Sequence, residues 1–94
     1  MDIYEEYKRN YAIYRADMDE MNARLSMLQT RLWNYQRLLR DNPPLDSRER
    51  KNLKDYIRKL SRRVANLEEW VSAKMRIFSN YVDTVIDYYA VNAA

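Results

Sequence analysis

Eleven of the seventeen lysines and arginines in this chain fall between residues 31 and 63, where only four aspartates and glutamates accompany them. That stretch carries +7, while residues 1–30 and residues 64–94 each carry −2. Guanidinium and ammonium groups at such density bind phosphates, carboxylates or an anionic surface through charge-assisted hydrogen bonds and counterion release. Arg48, Arg50, Lys51, Arg58, Lys59 and Arg62 fall at positions pointing away from the apolar stripe of the second half, and Arg37 and Arg40 join them from the first. A solvated face that maintains solubility is the plainer account of the same residues, because Asp41, Asp46, Glu49 and Asp55 are interspersed among them. No base-reading motif is present, so nucleic acid bound here is expected to be held by its phosphates, without regard to base sequence.

Other reactive residue types are missing or placed wrongly for catalysis. The chain has no histidine, cysteine or glycine. This removes the commonest general base, thiolate nucleophiles and metal ligands, and glycine-rich phosphate loops. Carboxylates come in adjacent pairs, such as Glu5 and Glu6 or Glu68 and Glu69. Adjacent residues on a helix point about 100° apart, so these pairs do not converge. Nine tyrosines invite a reading as stacking platforms or a catalytic phenol. Their spacing favours a packed core with hydroxyls at its edge. No enzyme activity, cofactor or metal is expected.

That spacing extends through the chain. Apolar residues recur from Tyr4 to Leu39 in unbroken alternation of three and four, and again from Leu53 to Tyr88, where Lys74 is the one polar member. A sustained alternation of this kind marks helices that pack along a seam. Between the stripes stands Asp41-Asn42-Pro43-Pro44. A proline disfavours helix at the residue before it, so the first helix is expected over 3–41, with Asn42 as a left-handed terminator. Asp46-Ser47-Arg48-Glu49 reads as a capping box that starts a second helix over 47–91. A turn over 41–46 makes the helices antiparallel neighbours. The expectation is a single all-α domain over 1–94, a coiled-coil-like two-helix hairpin. Its aromatic residues gather at the open end and its leucines lie nearer the turn. Three i,i+4 ion pairs are expected, Glu5–Arg9, Glu20–Arg24 and Asp55–Lys59. Asp83 and Asp87 are expected near Lys8 and Arg9 across the hairpin, and Lys74 either specifies register or oligomer state, as single polar seam residues do, or reaches solvent or pairs with an acid such as Asp17.

The stripe widens after Glu69. Trp70 and Ile77 appear on one flank, Met75, Val82 and Tyr89 on the other, with Ile86 beside them. A single partner helix satisfies a narrow stripe, whereas a wide one needs more. These six residues are therefore the expected protein interface, and a dimer forming a four-helix bundle is the simplest way to cover them. Trp33 and Trp70 are expected partly buried at helix contacts. The functional expectation is a homo-oligomeric assembly or adaptor protein that binds another protein. The alternative is a nucleic-acid-associated protein using the basic tip. The N-terminal residues lack a secretory pattern and no run of residues is long and apolar enough to span a membrane. A cytoplasmic location is expected, with signal-free export or association with a virion as open alternatives.

Overall fold

The computed structural model describes residues 2–41 and 45–92, and among these it contains two helices and no strand. Helix α1 spans Ile3–Asp41 and helix α2 spans Ser47–Asn92. The Asn42-Pro43-Pro44 turn and its left-handed terminator lie outside the described residues. Both helices start on an aspartate. Asp2 Oδ1 accepts the Tyr4 backbone N–H at 3.1 Å, and its carbonyl accepts the Glu6 N–H at 3.0 Å. Asp46 Oδ1 accepts the Glu49 N–H at 2.8 Å, and its carbonyl accepts the Arg50 N–H at 3.0 Å. In each case the cap satisfies a donor that the first helical turn leaves unpaired. The cap at Asp46 was legible in the sequence. The cap at Asp2 was missed, although Asp2 followed by Glu5 has the same spacing.

The helices lie antiparallel along a rod of 72 × 18 × 16 Å. A two-helix rod has no interior beyond its seam, and only six apolar side chains are buried among the described residues: Met18, Leu28, Leu60, Val64, Val71 and Val85. Leu28, Leu60 and Val64 form the tightest cluster, with Leu25, Leu32, Tyr35 and Leu67 packed around it. Towards the open end the seam becomes aromatic. Phe78 contacts the rings of Tyr7, Tyr11, Tyr14 and Tyr81, with centroids 4.0 to 6.5 Å away. Tyr35 meets Tyr56 edge to face at 5.0 Å on the other side of the leucine cluster.

Two polar ties between the helices set the register. The Asn10 side-chain amide donates to Tyr81 Oη at 2.9 Å, and the Gln29 amide donates to Glu68 Oε1 at 3.1 Å. They sit on opposite flanks of the seam.

Candidate functional site

Residues seven apart stay in line along a helix, whereas Met75 and Ile77 sit on opposite flanks of the α2 seam, roughly 160° apart around the helix. The six expected interface residues therefore divide between two sides of the hairpin. Trp70 and Ile77 lie along one side, and Met75, Val82, Ile86 and Tyr89 along the other. Five of the six are exposed, with Ile77 at 64% and Ile86 at 57%; Val82 is half-buried.

On the Ile77 side, a groove of about 330 Å³ is lined by Ile13, Tyr14, Ile77, Phe78 and Tyr81 together with Asn10, Asp17 and Lys74. Ile13 was not among the expected interface residues. It lies off the α1 stripe, and the opposing Ile77 joins it and Tyr14 in an apolar wall. The same side continues into a second groove, where Trp70 meets Met21, Leu28 and Leu67 beside Arg24 and Arg63. On the other side, Tyr4 and Tyr7 of α1 line a groove of about 330 Å³ with Val82, Val85, Ile86 and Tyr89 of α2. No charged residue lines this groove. Its Tyr89 phenol is held above the ordinary tyrosine value of 10.0, first because neighbouring atoms strip its water and then because the Asp2 carboxylate disfavours a phenolate.

The Lys74 ammonium lies over the Trp70 ring, 5.5 Å from its centroid, and makes no ion pair with Asp17. One turn of helix separates Lys74 from Trp70, so the lysine stem covers the indole while its head stays wet. Trp33 is one of the more exposed rings. It is 53% exposed, with the Arg37 guanidinium over its ring at 5.3 Å.

The ion pairs depart from the expected set in an instructive way. Glu20–Arg24 forms at 3.5 Å. Glu5 instead takes Lys8 at 3.1 Å, and Asp55 takes Arg58 at 2.7 Å, each three residues on rather than four. Both spacings bring side chains together on a helix, and the rotamer decides between them. The Glu5 hydrogen bond holds the Lys8 ammonium above its ordinary pKa. Lys8 also covers the Tyr4 ring at 4.8 Å. Neither Asp83 nor Asp87 pairs with Lys8 or Arg9 among the described residues, because Lys8 lies on the Tyr89 flank while Asp83 and Asp87 point away from it.

At the tip, local carboxylates hold part of the basic patch. Arg37 and Arg40 both reach Asp41, at 3.3 and 3.5 Å, and Arg58 is held by Asp55. Arg48, Lys51, Lys59 and Arg62 are exposed, and none of them forms an ion pair among the described residues. Arg50 does not point outward as expected: it is half-buried, because it falls one heptad before Ile57 and so lies in line with the seam. A groove of about 410 Å³ along one side of α2 brings Arg50, Lys51 and Arg58 together with Ser47, Asp55 and Lys54. Lys54, exposed in this groove, was not in the expected patch.

No protein-family model, no curated protein and no solved structure matches this chain. Its own surfaces therefore carry the functional argument. Among the described residues no group of three or more carboxylates could hold a metal ion, and no helix is long and apolar enough to cross a membrane.

Proposed function

We propose that this hairpin is a non-enzymatic assembly or adaptor protein that works by associating with a second copy of itself and with another protein. One observation carries the reading. Side chains as large and apolar as Ile13, Met75, Ile77 and Ile86 stay exposed within one half of a rod that buries only six apolar side chains among the described residues. Isolated exposed apolar residues are ordinary, but grooves lined by several of them at one end mark interaction surfaces. Self-association also supplies the buried area that a two-helix rod lacks. The tyrosines fit this role better than catalysis, because they are committed to ring stacks and to the Asn10–Tyr81 hydrogen bond.

Sedimentation equilibrium across micromolar concentrations tests the reading. A concentration-dependent dimer is expected, weakened by Val82→Glu or Ile86→Glu and unaffected by Ala12→Glu on the polar side of α1. A monomer at all concentrations overturns it.

A second reading, binding of nucleic-acid phosphates, is favoured by the tip alone. The supporting observation is the exposed set Arg48, Lys51, Lys59 and Arg62, beside the groove that also holds Lys54. Salt-dependent retention on immobilised DNA separates this reading from the first.

A further inference from the structure

Three arrangements of a two-fold dimer are open to a rod whose charge is segregated along its length and whose exposed apolar residues are denser at the open end, with Met27, Trp33, Leu38 and Tyr56 the exposed ones nearer the tip. In a parallel pair the open ends meet, but two basic tips of +7 each come side by side. In a fully overlapped antiparallel pair the charges alternate, but the exposed apolar residues of each open end lie against the other copy's Lys51, Lys54 and Arg58. Stripping water from Lys51 and Lys54, which form no ion pair among the described residues, costs more than the apolar contact returns, while Arg58 is already held by Asp55. A pair that overlaps only at the open ends avoids both penalties.

We propose that two copies of this hairpin associate tail to tail, through the side that carries Val82, Ile86 and Tyr89, with their basic tips pointing in opposite directions. The proposal rests on the self-association reading above. Two observations select the side. The groove formed by Tyr4, Tyr7, Val82, Val85, Ile86 and Tyr89 has no charged lining residue, and of the charges at its rim Lys8 is already paired with Glu5. The opposite groove contains Asp17 and Lys74, which make no ion pair with each other and would need new partners if covered. An isologous contact also places Ile86, 57% exposed, near the two-fold axis, where apolar surface meets a copy of itself. The basic tips then lie at the far ends of the particle, well beyond a Debye length of ~8 Å, and their repulsion vanishes.

Small-angle scattering and cysteine cross-linking test this together. Two rods of 72 Å that share ~25–30 Å of helix make a dimer about 115 Å long, whereas the parallel and fully overlapped forms stay close to one rod length. The chain has no cysteine, so single cysteines report unambiguously. Ile86→Cys should oxidise to a covalent dimer, and Ser47→Cys at the tip should not. Ile86→Glu should weaken dimerisation at least tenfold, and Ile77→Glu less than threefold, with circular dichroism confirming that both remain helical. A dimer of one rod length, a cross-link through Ser47→Cys, or a dimer broken by Ile77→Glu but not by Ile86→Glu overturns the arrangement while leaving self-association standing. A monomer throughout overturns both.

Discussion

Tyr14 of α1 and Phe78 of α2 lie face to face, with ring centroids 4.0 Å apart and planes within 4° of parallel. This stack joins the helices where the leucines give way to rings, and Phe78 also touches Tyr7, Tyr11 and Tyr81. Removing the Phe78 ring takes away a half-buried side chain and several aromatic contacts at once. Phe78→Ala should destabilise the hairpin by about 2–3 kcal/mol, below the cost for a fully buried ring. At roughly 4–8 °C per kcal/mol for a domain of this size, the thermal midpoint should fall by some 10–20 °C. Circular dichroism at fixed protein concentration measures it, and a fall under 3 °C would show that the ring cluster does not hold the open end.

The cap at the start of α2 is a separate device with its own signature. Asp46→Ala removes the acceptor of the Glu49 N–H and should cost about 1 kcal/mol, whereas Asp46→Asn should cost no more than a few tenths because asparagine caps as well. Urea unfolding of both variants separates loss of the hydrogen bond from loss of the charge. Equal destabilisation by the two would assign the effect to the helix dipole instead.

Tyr89 provides a pH test of how the chain ends approach each other. Loss of water and the Asp2 carboxylate raise its folded-state pKa above 10.0. A raised folded pKa means that stability is retained below the unfolded value and lost as pH rises through the folded one. The stability of the parent protein should therefore fall more steeply above pH 10 than that of Tyr89→Phe. The parent-minus-variant phenolate absorbance should have a midpoint above 10.0, and Asp2→Asn, which keeps the cap, should lower that midpoint. An unmoved midpoint in Asp2→Asn would exclude the carboxylate as a cause.

Any DNA retention should come from the cations that the tip leaves without a carboxylate. Changing Arg48, Lys51, Lys59 and Arg62 together to serine should abolish it, while changing Arg37 and Arg40, both already held by Asp41, should reduce it much less. The logarithm of affinity should fall with the logarithm of salt concentration by about 0.9 per phosphate contacted. Fluorescence anisotropy across a salt series reads the slope. Binding that persists undiminished at ~0.5 M salt, where the Debye length is about 4 Å, would place the site elsewhere.

Helix identity, the antiparallel pairing and the division into a leucine half and an aromatic half all follow from residue order. A heptad stripe leaves each helix one face to bury, and a short link leaves one neighbour to bury it against. The Asp46 cap is equally local, since it depends on residues three apart. Other features need two helices at a definite register. Ile13 lies off the α1 stripe and becomes part of an apolar groove with Tyr14 only across from Ile77 and Phe78. Val82 and Ile77 fall on opposite flanks of the seam already in the residue order, but the α1 residues that complete each groove, Tyr4 and Tyr7 for one and Ile13 for the other, are set only by the packing. Arg58 rather than Lys59 takes Asp55 because side-chain rotamers, which residue spacing does not specify, choose between neighbours three and four residues away. Periodicity is a property of one helix, whereas a groove belongs to two. The seam was therefore visible in the order of the residues, and the surfaces available to a partner emerged only from the packing of α1 on α2.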